Sequence, residues 1–327
     1  MQDTEKTVPQ DAVVASGQAD EPASIEDKAT PRKARTNKGR KPKSFSVVPA
    51  ATDNPSQLNF WPNEVRGIPN AALRGSLFSI SQERSMCKKR TQLETVEGYK
   101  IMFKGERFNQ RDLDLWEMLL HIGRQQQYGE RVQFVASEVL RELDRGTGGA
   151  DYEELKEDMA RLQSGVVEIT YTDTNKTFSG ALLHNFLRDE DTQRYAIVFN
   201  EDMRLLYESG YSHMDRAQRK QLKNNSLAKW LLYFYGTHAA PMRFKVATLY
   251  RLCDSKAQRM TDFRKALRVA LDKCVAVGGF TSWSIDAESD LVTVRRKGTA
   301  SQQRHLAKKQ AVQGDADFAA KDDGFGF

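Results

Sequence analysis

Apolar residues recur at helical spacing in two stretches of the chain, and each stretch is followed by alternating, strand-like text. In the first, Leu115, Leu119 and Ile122 fall at i, i+4 and i+7 and predict a helix over 112–123. A short strand over 132–135, a short helix over 136–143 and the Gly-rich turn RGTGG follow. A longer helix over 151–163 keeps Leu155, Met159 and Leu162 on one face. Gly165 stands where a left-handed cap would close that helix. Strands are expected over 166–172, 177–186 and 194–200, split by the polar turns DTNK and RDEDT.

The second stretch opens with a helix over 216–238, seamed by Leu227, Trp230, Leu231 and Phe234 and broken by Pro241. A strand over 242–245 and a short helix over 246–253 follow. Ser255 is the expected N-cap of a long helix over 256–277, with Met260, Phe263, Leu267, Ala270, Leu271 and Cys274 facing inward. Gly278 and Gly279 end it, and 280–285 with 291–296 read as a hairpin. Each stretch therefore runs helix, strand, helix, turn, longer helix, hairpin, the order of a winged helix. The expected fold is α+β: two tandem winged-helix domains flanked by disordered tails. The expected division is a disordered tail over 1–55, a linker with a docking peptide over 56–95, and a first domain for interaction or dimerisation over 96–200. A second, DNA-reading domain over 201–297 and a disordered tail over 298–327 complete it.

Composition supports the tails. Eight of nine prolines lie in the first 69 residues, and 28–43 carry eight basic residues and no acid. Such text buries too little apolar surface to offset ordering entropy. The basic run is either a solvated linker or a non-specific phosphate-binding arm. No stretch approaches the ~20 apolar residues of a membrane span. The polar start is no secretory signal, and three scattered cysteines give no disulfide framework, so the chain reads as cytoplasmic and reduced.

Charge separates the two long helices. The helix over 151–163 carries five acids against two bases, while that over 256–277 carries six bases against two acids. A helix in a DNA groove runs between rows of phosphates, so only the second suits that place. Lys256 and Arg259 are expected in its first turn, the end that reaches base edges, with Arg264, Lys265 and Arg268 along its outer side. Arg216, Arg219, Lys220 and Lys223 on the preceding helix, and Arg295 and Arg296 at the end of the hairpin, are the expected backbone contacts. The acidic first-module helix either serves protein contact or meets DNA only at its Gly-rich start.

Catalytic patterns are missing. There is no GxxxxGK[ST], and the five histidines form neither an H-x-H pair nor HExxH. His184, in an apolar strand, reads as a packed residue, and Cys253 and Cys274 as buried small hydrophobes. No catalytic residue, cofactor or metal is expected. Before the core, the run Gln57-Leu58-Asn59-Phe60-Trp61 is either an anchor on the first module or a linear peptide for a partner's apolar groove.

The text WPNEVRGIPNAALRGSLFS (61–79), ARLQSG (160–165) and LYRLCDSKAQRMTDFRKAL (249–267) resembles the TrfA family of plasmid replication initiators over about 57–297. The resemblance extends more distantly to RepE-type initiators built from two winged-helix domains. It implies a non-enzymatic protein that binds iterons, helps open adjacent A+T-rich DNA and limits copy number. It also implies partners: double-stranded origin DNA, the host replicative helicase, the host initiator, the sliding clamp, and a second copy in a monomer–dimer balance. Arg259 and Arg264 match family arginines, whereas Lys256 and Lys265 do not match in type. Gln57, Leu58, Phe60 and Trp61 look like the family's clamp-docking peptide, with Phe60 for its leucine and Trp61 for its phenylalanine. The alternative function is a winged-helix repressor acting on its own promoter without helicase recruitment.

Overall fold

Alternation and helical spacing resolve into a mixed α+β chain, seen in a computed structural model that describes residues 61–307 apart from 128, 241, 300, 301 and 305. The first elements are β1 (Val65–Pro69), α1 (Asn70–Leu73), β2 (Phe78–Ser79), β3 (Met86–Leu93), β4 (Tyr99–Glu106) and β5 (Phe108–Asn109). Next come α2 (Gln110–Gly123), β6 (Arg131–Val135), α3 (Ala136–Glu142) and α4 (Gly149–Ser164). Then follow β7 (Val166–Tyr171), β8 (Thr177–Ala181), β9 (Asn185–Asp189), β10 (Arg194–Val198) and α5 (Arg204–Glu208). The remainder is β11 (Tyr211–Asp215), α6 (Arg216–Gln221), α7 (Ser226–Gly236), β12 (Phe244–Lys245), α8 (Val246–Leu252), α9 (Met260–Ala276), β13 (Ser282–Ile285) and β14 (Leu291–Arg295).

One unit occurs twice. The first copy comprises β6, α3, α4, β9 and β10, and its three strands form a sheet in the order β6–β10–β9. The second comprises β12, α8, α9, β13 and β14, and its three strands form a sheet in the matching order β12–β14–β13. The first copy carries an extra hairpin, β7–β8, between α4 and β9. That hairpin leaves the three-stranded sheet and joins β3 and β4 in a separate sheet of order β3–β4–β7–β8. The single strand expected over 177–186 is therefore two strands. Between them Leu182 and Leu183 turn into the core, and the alternation restarts with His184 exposed rather than packed.

The segment 61–95 is not a linker over its described length. It contributes β1, α1, β2 and β3, and Trp61, Ile68, Leu77 and Phe78 are buried. Strand β1 pairs antiparallel with β11, from Val65 opposite Asp215 to Pro69 opposite Tyr211. One hydrophobic cluster runs from Trp61 and Trp116 through Phe234 to Leu267 and Val294, joining both copies. The end of the chain also departs from expectation: 302–304 and 306–307 are helical, and Gln302 Nε2 donates to the Gly236 carbonyl at 2.8 Å. The expected tail over 1–55, with its basic run, and the rest of the C-terminal tail lie outside the described residues.

Local chemistry sets the helix limits. Asn109 and Asp112 form a capping box at the start of α2: the Asn109 side chain accepts from the Arg111 and Asp112 amides, and Asp112 from the Asn109 amide. The helix expected over 216–238 is two helices. Lys223 takes a left-handed φ of 48°, and Asn225 then caps α7 by accepting from the Ala228 amide at 2.8 Å. The long helix α9 begins at Met260, not Lys256. Asp254 sits at φ 53°, Ser255 is buried in the turn instead of capping, and Arg259 holds the N-cap position. Gly165 is not left-handed, since its φ is −75°. Glycine stands there because a Cβ would come 2.5 Å from Phe108 Cζ.

Candidate DNA interface

Helix α9 is held by one apolar face and offers the other to solvent. Phe263, Leu267, Ala270, Leu271 and Cys274 are buried, while Met260 is half-buried. Each large one contributes about 1.5–3 kcal/mol of burial, which fixes the rotation of the helix. Lys265, Arg268 and Lys273 stand on the outer side, exposed, their side chains without an ion pair or hydrogen bond to other described residues. Lys273 was not among the expected contacts, although its helical spacing from Val269 puts it on this side.

The other expected residues of this module divide. Lys256 lies in the turn before α9, 2.6 Å from Asp254, and Arg259 pairs with Asp262 at 2.8 Å. Both pairs are exposed, so each holds its cation by no more than about 1 kcal/mol and a phosphate can exchange into it. Arg264 is committed elsewhere: its guanidinium grips Asp290 at 3.2 and 2.7 Å and ties α9 to the turn between β13 and β14. The Arg295 side chain is exposed with no partner among the described residues. Arg296 turns inward, donating to the carbonyls of Gly236 at 3.1 Å and His238 at 2.6 Å, and to Gln302 at 2.8 Å. It fastens the segment around Gln302 to the end of α7 and cannot reach a phosphate without leaving those bonds.

Arg216 and Arg219 are the clearest departure from the sequence reading. Both are buried, Arg219 completely, between α2 and α7. Arg219 donates to Asp114 at 2.6 Å and to the Gln110 carbonyl and side chain at 3.2 and 3.1 Å, and it lies over the Tyr233 ring at 4.3 Å. Arg216 donates to Glu117 at 2.8 Å, which also accepts from Tyr233 Oη at 2.8 Å. Lys229 adds a contact to Asp114 at 2.7 Å. Burial pushes the Asp114 carboxyl up, but Arg219, Lys229 and Arg216 outweigh it and hold it down to about 2. These cations join the two copies and are not available to DNA. Lys220 is half-buried and 3.1 Å from Asp144, and Lys223 is exposed.

In the first copy the acids of α4 are partly consumed. Asp158 is buried and accepts from Arg111 at 3.1 Å, Arg145 at 2.7 Å and Arg161 at 2.9 Å. Glu153, Glu154 and Glu157 remain exposed, so the outer face of α4 is still acidic. Trp61 does not project toward a partner. Its ring stacks on Tyr207 at 6.1 Å, and its Nε1 donates to His121 Nδ1 at 3.1 Å. It is an anchor of the first copy, while Gln57, Leu58 and Phe60 lie outside the described residues. Among the described residues no group of His, Cys, Asp and Glu is placed to hold a metal, and no helix is long and apolar enough to cross a membrane.

Fold and site together define a two-copy α+β protein in which one helix offers unpaired cations to solvent beside a β-hairpin. The chain belongs to the TrfA protein family, whose model matches residues 54–296. It is similar to the plasmid replication initiator protein TrfA of Escherichia coli, 23% identical over 220 residues that make up 65% of this chain and 57% of that protein. The chain thus matches little more than half the length of that relative. Among solved structures it is similar to domains 2 and 3 of RctB, with a TM-score of 0.47 and 12% identity over 69% of this chain and 96% of that one. It is also similar to the Pi initiator protein solved in complex with iteron DNA, with a TM-score of 0.43 and 10% identity over 57% and 94%.

Proposed function

We propose that the protein is a plasmid replication initiator. It binds directly repeated origin sites, helps open adjacent A+T-rich DNA and recruits host replication proteins. Each repeated unit is read as a winged helix, with α9 as the helix that enters the major groove and β13–β14 as its wing. One observation carries this reading: a member of the TrfA family keeps Lys265, Arg268 and Lys273 unpaired on the outer side of α9. Each phosphate they neutralise releases counterions, so binding strengthens as salt falls. Arg268 and Lys273 suit the two phosphate rows, and Arg295 suits the backbone beside the wing. Opening draws on the binding free energy of many copies, not on catalysis, and the protein is no enzyme. Pairing between copies, and recruitment of helicase, host initiator and clamp, belong to the same proposal.

Footprinting the purified full chain on its own plasmid, with permanganate to report unpaired thymines, tests it. Protection of direct repeats beside an A+T-rich tract that becomes reactive is the expected result. Protection of a single inverted repeat at the promoter, with no reactive thymines, would replace initiation by repression.

A further inference from the structure

The outer face of α9 is not only basic. Val269 is 53% exposed, one of the few large apolar side chains left in solvent among the described residues. With the helix rotated by its buried face, Lys265, Asp272 and Ala276 point furthest from the core, and Val269 lies beside them, one turn on from Lys265. Arg268 flanks Val269 on one side, and Ala266 and Lys273, both exposed, on the other. An apolar knob thus sits just off the crest of the helix with three cations around it and one acid, Asp272, which accepts from Trp283 Nε1 at 2.9 Å. A bare solvated helix has no use for a β-branched residue there, because valine lowers helix propensity without burying anything. In a major groove, however, the crest meets base edges while the shoulders meet phosphates. The one apolar group a base edge presents there is the thymine C5-methyl.

We propose that Val269, with Ala266 beside it, reads thymine methyl groups in the major groove and is a specificity-determining residue of this protein. This rests on the reading of α9 as the DNA-entering helix. The occupant of the patch is chosen by its surroundings: a protein partner would have to cover Lys265, Arg268 and Lys273 as well, whereas DNA neutralises them.

The test is a cycle in which methyl groups are removed from either side. Duplexes selected by the full chain from a random pool are remade with uracil at each thymine in turn. Binding of wild type, Val269→Ala and Val269→Ile is then measured by titration. Alanine favours the helix, so the first variant keeps its fold. At one or two thymines uracil should weaken wild-type binding about fourfold, the worth of one methyl taken from water. Val269→Ala should lose that discrimination and bind thymine and uracil sites alike, while Val269→Ile keeps it. Uracil penalties identical in wild type and Val269→Ala, or none at all, would overturn the proposal. So would a Val269→Ala variant whose only change is weaker self-association in sedimentation. Arg268→Ala separates the two readings. If it lowers the salt dependence of binding while the uracil cycle is flat, α9 still meets DNA and only the role of Val269 fails. If it leaves the salt dependence unchanged, the placement of α9 fails as well.

Discussion

Replacing Arg219 by alanine removes a fully buried guanidinium from the junction between α2, α6 and α7. The variant leaves the Gln110 carbonyl and side chain without their donor and strips the Tyr233 ring of its cation. Asp114 loses its 2.6 Å partner but keeps Lys229 at 2.7 Å and Arg216 at 3.5 Å. Breaking a buried pair costs about 3–5 kcal/mol. The two surviving cations put the loss near the lower end, about 3 kcal/mol, against a total stability of about 5–15 kcal/mol for a typical domain. Urea unfolding should therefore show a lower midpoint with an unchanged slope. On the protein that remains folded, the dependence of DNA binding on salt should match wild type. Lysine does not restore the stability, because it lacks the planar fork that serves Asp114 and Gln110 together. An Arg219→Ala variant with wild-type stability, and a log–log salt slope lower by about 0.9, would make Arg219 a phosphate contact and refute the buried role.

Lys265→Ala and Arg268→Ala should each reduce that salt slope by up to about 0.9 with no change in the unfolding midpoint, read by titration at several salt concentrations. Acid should destabilise the protein well before its carboxylates protonate. Burial, then Arg66 and Arg124, hold His121 down to about 3, while burial and Arg74 hold His238 down to about 4. Both titrate near 6.5 when unfolded, so the unfolded chain binds more protons below that pH and stability falls with pH from about 6.5 toward 4. Each costs about 2–3 kcal/mol at pH 4.5, and a flat urea midpoint between pH 7 and 4.5 would contradict the burial of both rings. Gly67→Ala should destabilise by about 1–3 kcal/mol, because its Cβ would come 2.5 Å from the buried Trp61 ring. An unchanged melting temperature would mean that Trp61 is not seated there.

Helices α4 and α9 could be read from the chain because each has one buried face, so their apolar residues repeat at three and four positions. Strand β3 could not: from Met86 to Gln92 its side chains are exposed or half-buried, so the text MCKKRTQ has no alternation. Of the candidate interface, Lys265, Arg268 and Arg295 stand where spacing put them. Arg216 and Arg219 do not, since a buried cation and a solvated one look the same in one dimension. Their counter-charges, Asp114 and Glu117, lie on a distant helix, and only the folded chain brings them within reach. The break between α6 and α7 was likewise hidden, because Lys223 has no reputation for left-handed backbone. Asn225, a good cap, was the available signal. Val269 escaped for a different reason: a valine in a helix reads as core unless the register of the other faces is already known.

The pairing of β1 with β11 sets a timetable for synthesis. On the ribosome Val65–Pro69 emerges early, yet its partner exists only once Asp215 has been added. At about 5–20 residues per second the first strand waits on the order of ten to thirty seconds with an open edge. During that interval the early half of the chain is an unfinished object that invites pairing with a neighbouring nascent chain. The duplicated units therefore cannot be treated as beads to be cut apart or shuffled at a boundary near residue 200. Removing β1 would leave β11, which leads into the half that carries α9, without its paired strand.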